Sequence, residues 1–266
     1  MTDSGTEHPK PGSDYFEARQ ERKQWIIDNV VSLLLALCAI FMIRSSIVEA
    51  FKIPSGSMLP TLLVGDHIFV NKFAYGLKIP FTDWALDQPL YLWKREAPKR
   101  NDIIVFKFPR DDSFYFIKRV VGVPGDVVEV RNKVLTLNGK AVPRDLIAAA
   151  ESRSTFEELD DPKYNERALD LYDEKLPDSS GGDGRHLMMI EKNNYMGENY
   201  GPVTIPQEHL FVMGDNRDFS NDSRFWGFVP YKNVRGKAMV IWLSLWIGFK
   251  DRQFFFRPTR YRKLLR

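Results

Sequence analysis

The sequence predicts a mainly β protein: an antiparallel β-sheet domain carrying an inserted lobe, preceded by one N-terminal transmembrane helix. Three observations support this fold class. One long apolar run occupies residues 25–43. Segments of β-branched and aromatic residues, separated by turn signals, follow it. A charged stretch of different composition, at about 144–186, interrupts these segments. We therefore predict that the β domain spans residues 44–250.

The N-terminal region divides into a polar part and an apolar part. Residues 1–24 are rich in Gly, Pro and charge, which predicts disorder. The charge-free core of the apolar run, residues 30–43, is short against the roughly 20 residues of a bilayer span. Trp25 fits an interfacial anchor. A cleaved signal peptide and a buried core helix remain alternatives, and we favour the membrane anchor.

Several segments have the composition of strands and hairpins. "DIIVFKF" at 102–108 reads as one strand, and "FYFIKRVVGVPGDVVEV" at 114–130 reads as strand, turn and strand. Asn138-Gly139 predicts a tight hairpin, because this pair adopts positive φ angles readily. "AMVIWLSLWIGF" at 238–249 is too short to span a bilayer. It predicts a buried strand, with an interfacial role for Trp242 and Trp246 as the alternative.

Two segments have less regular patterns. The insertion at about 144–186 is charged, ends in the flexible "SSGGDG", and is predicted to be partly helical at best. The tail at 251–266 alternates aromatic residues with Arg and Lys. Such a tail could bind anionic headgroups or remain solvated, and the sequence leaves both open.

Composition excludes several functional classes as starting points. The formal net charge of +3 is too small to indicate a nucleic-acid partner. Cys38 is the only cysteine, so neither an intrachain disulfide nor a Cys-based zinc site can form. The four histidines lack ligand spacing. We therefore expect no metal and no cofactor, and a Ser-His-Asp hydrolase is a poor first hypothesis.

A serine and a lysine supply a different chemistry. "PSGSM" at 54–58 presents two serines, and a serine hydroxyl needs an adjacent base to become a nucleophile. Burial can lower the pKa of a lysine enough for that role. In "FYFIKRVVG", alternation places Lys118 on a strand face with Phe116 and Val120. From this strand alone, a snorkelling lysine at a strand edge is the better interpretation.

Four ordered stretches change that balance: "PSGSMLPTL" (54–62), "GDHIFVNK" (65–72), "FIKRVVGVPGD" (116–126) and "GDNRDFSNDSRFWG" (214–227). In this order, after an apolar run, they resemble the motifs of the bacterial type I signal peptidases, which are membrane-bound Ser-Lys endopeptidases. The resemblance covers most of residues 51–227 and is highly specific as a set. It does not extend to the insertion at 144–186 or to the tail.

The resemblance implies a role for each matching residue. Ser57 is the expected nucleophile and Lys118 the general base. Ser55 is expected to complete the oxyanion hole with the Ser57 N–H, and Ser220 to orient the base. The remaining matches are apolar residues that line substrate pockets (Phe51, Ile53, Leu62 and Ile117) and charged residues that brace the site (Arg119, Asp215, Asp222 and Arg224). Arg119 is expected to pair with Asp215.

The resemblance also implies a function and a location. The expected activity is cleavage of signal peptides from secreted preproteins after an Ala-x-Ala-like site, through an acyl-enzyme. The expected location is the bacterial inner membrane, with a cytoplasmic N-terminus and the catalytic domain on the outer face. The bilayer and the preprotein are expected partners, and the secretion translocon is a candidate. Many family members have two spans, whereas one is visible here.

Two other functions remain open on the sequence alone. Self-cleaving repressor peptidases also use a Ser-Lys pair, but they are soluble, and the apolar run argues against them. An anchored β domain that binds peptides without cleaving them would not require both Ser57 and Lys118. Cleavage of a preprotein in detergent distinguishes the three hypotheses.

Overall fold

The structure is a computed structural model that describes residues 13–46, 48–79, 82, 90–94, 96–159, 163–178, 182–194, 199–248 and 253–265. Its helices are α1 (Ser13–Ser46), α2 (Ala149–Leu159) and α3 (Ser223–Trp226). Its strands are β1 (Val48–Lys52), β2 (Asp66–Asn71), β3 (Gly76–Lys78), β4 (Tyr91–Lys94), β5 (Ile103–Phe108), β6 (Asp111–Gly122), β7 (Val127–Arg131), β8 (Val134–Leu137), β9 (Lys140–Ala141), β10 (Arg144–Leu146), β11 (Leu169–Pro177), β12 (Asp183–Glu191), β13 (Tyr200–Thr204), β14 (His209–Met213), β15 (Val229–Pro230), β16 (Val234–Gly248), β17 (Gln253–Phe256) and β18 (Lys263–Leu264). The mainly β fold class is confirmed.

The chain divides into two compact units, Met1–Ser45 and Ser46–Arg266. Helix α1 contains a span, Arg19–Ile40, that is long and apolar enough to cross a membrane. None of that span is buried within the chain, which does not fit a buried core helix. The prediction of disorder over residues 1–24 is wrong for residues 13–24, because the charged segment continues the helix, while residues 1–12 lie outside the described part.

Antiparallel pairing builds the second unit. The main sheet has the order β1-β2-β16-β5-β6-β14-β15, and β17 and β18 also pair with β16. A four-stranded sheet, β13-β7-β8-β9, includes the predicted hairpin, where Asn138 and Gly139 have φ angles of 52° and 78°. The apolar segment at 238–249 lies largely within β16 and is a strand, as predicted. Trp242 on this strand stacks on Phe69, and the side chain of Trp246 lies outside the described residues.

The insertion is more regular than the sequence predicts. Strands β10, β11 and β12 form a three-stranded antiparallel sheet, and α2 precedes β11. The expectation of a partly helical segment at best is therefore wrong. Strand β11, "LDLYDEKLP", buries Leu169, Leu171, Glu174 and Leu176. Because one of these inward positions is a glutamate, the charge pattern concealed the strand.

The C-terminal segment is part of the β unit. Strands β17 and β18 both pair with β16, so the prediction of a separate tail at 251–266 is wrong. Arg260 is buried, and its guanidinium binds the Asp66 carboxylate, with Nη2 2.7 Å from Oδ2. The same guanidinium also donates to the Thr61 carbonyl. The segment thereby contacts the stretch that follows "PSGSM".

Candidate active site

The "PSGSM" segment forms a short turn directly after β1. Residues Gly56–Met58 adopt a 3-10 helix, in which Ser57 and Met58 are buried. Asn216 holds the turn from the opposite loop: its backbone N–H donates to the Ser57 carbonyl at 3.2 Å, and its side-chain amide donates to the Gly56 carbonyl at 2.9 Å. Ser55 precedes the turn in extended conformation and is exposed, and its hydroxyl does not cap the helix. The backbone of Ser57 is therefore fixed, while Ser55 faces solvent.

Lys118 meets Ser57 across 61 residues of sequence. Its Nζ lies 2.6 Å from Ser57 Oγ and 3.0 Å from the Ile117 carbonyl oxygen. The amine also lies 5.6 Å from the centre of the Phe116 ring. Phe116 and Val120 pack in one apolar cluster, as the predicted strand face requires. Lys118 is 4% exposed, so its amine is buried and does not snorkel into solvent.

The setting of Lys118 makes its neutral form accessible near neutral pH. Burial lowers its pKa to about 8, and the Asp222 and Asp215 carboxylates oppose this by favouring the charged form. At pH 7 about one tenth of the amine is then neutral, against a negligible fraction for an ordinary lysine. A neutral amine at hydrogen-bond distance from a serine hydroxyl can accept its proton.

Two buried ion pairs hold the carboxylates beside the lysine. Arg119 binds Asp215 through two parallel bonds of 2.8 Å, the pairing expected from the sequence. Arg224 binds Asp222 in the same two-pronged manner, also at 2.8 Å. Although burial acts to raise the pKa of both carboxyls, these guanidinium groups hold the pKa of each below its ordinary value. Both carboxylates are therefore charged while the neighbouring amine titrates.

Ser220 lies close to the nucleophile because a glycine separates them. A Cβ added to Gly214 would lie 2.3 Å from both Ser220 Oγ and the Ser57 carbonyl oxygen. Any larger residue at 214 would push these groups apart. Ser220 is buried, and its hydroxyl interacts with the Asp222 carboxylate, which helps to hold the pKa of that carboxyl below its ordinary value. The structure thus places Ser220 at the site, and its role in orienting Lys118 stays a prediction.

The four predicted pocket residues lie together. Ile53 and Leu62 are buried in one apolar cluster with Met58, and Phe51 and Ile117 pack against its edge while remaining partly exposed. Ile117 was expected to face away from Lys118. Ile117 lies on the opposite face of β6 from Phe116. It nevertheless packs against the apolar cluster that contains Met58, the residue after the nucleophile.

Sequence reasoning missed some residues of this site. Asn216 holds the nucleophile turn, and the Thr61 hydroxyl donates to Asp215 at 2.5 Å. Both lie inside quoted motifs, so the signal was present but carried no assigned role. Glu174, His186 and Arg217 form a further buried polar group next to Asp215, in which Glu174 and Arg217 form an ion pair. Nothing in the local sequence of Glu174 indicates that a buried partner lies 43 residues away.

Comparisons with known proteins agree on one family. A family model described as signal peptidase, peptidase S26, matches residues 26–243. Signal peptidase I of Pseudomonas aeruginosa is 41% identical over 82% of this chain and 73% of its own length. Signal peptidase I of Aquifex aeolicus is 34% identical over 81% of this chain and 84% of its own. A solved signal peptidase I from Enterococcus faecalis aligns with 53% of this chain and 97% of its own, with 27% identity and a TM-score of 0.31, too low to support an argument about the fold.

The matches to the family model and to the relatives define a serine endopeptidase. Within that class, the chain belongs to the signal peptidase family, peptidase S26. The resemblance inferred from the four motifs is therefore confirmed. Helix α1 is consistent with membrane anchoring.

Proposed function

We propose that this chain is a membrane-anchored endopeptidase that removes signal peptides from secreted preproteins, with Ser57 as nucleophile and Lys118 as general base. The observation that carries the proposal is the 2.6 Å distance between Lys118 Nζ and Ser57 Oγ, with both groups buried. A serine hydroxyl and an amine of lowered pKa at this separation meet the geometric requirement for an activated nucleophile.

The first half of the reaction forms an acyl-enzyme. Lys118 takes the Ser57 proton as Oγ attacks the scissile carbonyl carbon, and the carbonyl oxygen becomes an oxyanion. The Ser57 N–H and the exposed Ser55 hydroxyl are the proposed donors to that oxyanion. Lys118 then delivers its proton to the leaving amine, and the C–N bond breaks. The mature protein leaves, while the signal peptide stays esterified to Ser57.

The second half returns the enzyme to its starting state. Neutral Lys118 takes a proton from water, and the hydroxide attacks the ester carbonyl. As the tetrahedral intermediate collapses, Ser57 Oγ recovers the proton from Lys118, and the signal peptide leaves as a carboxylic acid. Ser220, buried beside Ser57, is proposed to orient the amine during both proton transfers.

The apolar cluster provides the proposed substrate pockets. Phe51 and Ile117 are partly exposed at the edge of the cluster that contains Ile53 and Leu62. We propose that small apolar pockets formed here accept alanine-sized side chains and exclude larger ones. Signal peptides end in A-x-A-like sequences, which gives the proposed substrate class. We propose that α1 holds the enzyme in the inner membrane with the β unit on the outer face, where it meets preproteins at the bilayer surface.

The test compares four variants of the full chain, purified in detergent, on a preprotein with an Ala-x-Ala site. Ser57→Ala and Lys118→Ala each remove one partner of the proposed pair, and we expect cleavage to disappear. Ser154→Ala and Lys140→Ala are matched controls on exposed residues of α2 and β9, and we expect normal cleavage. Mass spectrometry of the product identifies the bond that is cut. Wild-type turnover by the Ser57→Ala or Lys118→Ala protein would refute the proposed pair.

A further inference from the structure

Strand β12 extends the inserted lobe, predicted at about 144–186, to residue 191, and the lobe shares an apolar core with the nucleophile segment. Leu59 and Leu63, which follow Ser57, are buried in a cluster with Leu159, Leu169, Leu171 and Met189 of the lobe. Tyr164 of the lobe also lies over the nucleophile turn, since a Cβ added to Gly56 would lie 2.9 Å from its hydroxyl. The lobe thus packs against the turn through a different apolar cluster from the one that contains the predicted pocket residues.

A buried ion pair joins the same lobe to the loop opposite the nucleophile. Glu174 of β11 receives two bonds from the Arg217 guanidinium: Nη1 donates to Oε1 at 2.9 Å, and Nη2 donates to Oε2. Both side chains are almost completely buried. Although burial acts to raise the pKa of Glu174, Arg217 holds that pKa below its ordinary value, so the carboxylate is charged.

The loop that Arg217 belongs to contacts the catalytic residues directly. Its residue 216 holds the carbonyls of Gly56 and Ser57, as described above. Its residue 215 carries one of the two carboxylates that favour the charged form of Lys118. The backbone of Met189 in the lobe donates to the Asp215 carbonyl at 2.9 Å, which adds a second link from lobe to loop.

The His186 side chain lies close to both the Glu174 and the Asp215 carboxylates. Its Nε2 lies 3.3 Å from Glu174 Oε2 and 3.9 Å from Asp215 Oδ1. Burial, reinforced by the nearby Arg119 guanidinium, lowers the pKa of His186, so the imidazole is neutral at pH 7. Within the described residues, the charged groups around the loop are then Glu174, Arg217, Asp215, Arg119, Asp222 and Arg224, together with the Lys133–Asp218 pair. Each cation has a carboxylate partner.

We propose that Glu174 is a positioning residue for the peptidase reaction: through Arg217 it fixes the loop 214–217, which in turn fixes Ser57 and sets the charge around Lys118. This inference rests on the proposed function and gives the inserted lobe a part in it. Glu174 touches neither Ser57 nor Lys118, so its effect is transmitted through Arg217 and Asn216. Displacements of about 1 Å at reacting groups can cost about 100-fold in rate.

A positioning role and a merely structural role differ in their electrostatic consequence. Arg217 also faces Asp215 and Asp222. If the Glu174 charge is removed, the Asp215 and Asp222 carboxylates remain as counterions of Arg217 in the described part of the chain. Because the same carboxylates favour protonated Lys118, the amine should lose its proton more easily. The acid limb of the pH–rate profile should move to lower pH. Removing both charges of the pair should return it to its wild-type position.

The experiment compares wild type, Glu174→Gln and the double variant Glu174→Gln/Arg217→Gln, each as the full chain in detergent, across pH 5–10. We expect Glu174→Gln to lower kcat at least about 10-fold, to change KM less than about twofold, and to shift the acid limb downward. The double variant should keep the low kcat but regain the wild-type acid limb. Asp173→Asn, a neighbour on β11 that pairs with exposed Arg185, is the matched control and should behave as wild type.

Each outcome bears on one proposal. Wild-type kcat and an unmoved acid limb in Glu174→Gln would overturn the positioning role, as would equal acid limbs in the single and double variants. If Glu174→Gln does not fold, Arg217→Lys replaces it: the charge stays but the two-pronged bond is lost, so we expect a reduced kcat with an unmoved acid limb, and an unchanged kcat overturns the proposal. Wild-type enzyme that fails to cleave the preprotein refutes the proposed function instead.

Discussion

Lys118 and Glu174 are both buried ionisable residues, yet their surroundings give them opposite properties. Lys118 makes no ion pair within 4 Å in the described structure, and burial lowers its pKa to about 8, within reach of its neutral form. The Glu174 carboxylate accepts two hydrogen bonds from the Arg217 guanidinium, and its lowered pKa keeps it charged. Burial changes the protonation of a group when charged partners do not compensate for it, and such a group can serve as a base. Fully paired groups hold structure in place.

The largest effect should come from exchanging the base for a group that cannot release its proton. Lys118→Arg keeps the positive charge, but a guanidinium stays protonated. We expect kcat for preprotein cleavage to fall about 1,000-fold or more, because general bases contribute about 10²–10⁴-fold. Measuring product formation over days sets the lowest rate of cleavage that can be detected for this variant. Substantial residual activity would mean that Lys118 is not the base.

A paired residue should instead affect stability. Arg260→Ala removes the cation that Asp66 and Glu158 bind, leaving the buried Asp66 carboxylate unpaired. Breaking a buried pair costs about 3–5 kcal/mol, so we expect the free energy of unfolding to fall by about that amount. Urea denaturation measures it, with exposed Lys232→Ala as the matched control. A loss below about 1 kcal/mol would show that the C-terminal segment does not stabilise the nucleophile segment.

The proposed oxyanion donor should have an intermediate effect on rate. Ser55 is exposed and does not bond its own helix, so its hydroxyl is available to a substrate oxygen. We expect Ser55→Ala to lower kcat about 100-fold with little change in KM, since oxyanion contacts form in the transition state. Ser55→Thr should retain most activity. An Ala variant as fast as wild type would remove Ser55 from the oxyanion hole.

The pH dependence should show the smallest effect, about tenfold per pH unit. Lys118 must be neutral to accept a proton, and its pKa is about 8. We therefore expect kcat/KM to fall tenfold for each unit below pH 8 and to level off above it. Initial rates in overlapping buffers give the profile. A rate that is constant from pH 6 to pH 9 would contradict a lysine base.

Local patterns were sufficient to predict much of this molecule. The Asn138-Gly139 hairpin and the strand face of Lys118 follow from properties of neighbouring residues, and both are present. The family followed from four motifs. The contact between Ser57 and Lys118, 61 residues apart, came from that resemblance and not from periodicity.

Other features depended on distant partners. An inward-facing Glu174 breaks the apolar alternation of β11, and Arg217, the residue that makes this possible, is 43 positions away. Arg260 lies in a basic tail for which the sequence leaves headgroup binding and solvation both open, because its partner Asp66 is 194 positions away. Such buried charges are hard to recognise when the partner is far away in the sequence, so a single sequence concealed the strands of the lobe and the C-terminal strands.

The most direct test of the account is the pKa of the Lys118 amine itself. Nuclear magnetic resonance titration of the enzyme with ¹³C-labelled lysine, assigned by comparison with Lys118→Ala, reports this value without reference to catalysis. We predict a midpoint near pH 8 for Lys118. A midpoint near the ordinary value of about 10.4 would mean that the amine is protonated throughout the working range, and would contradict the proposed mechanism.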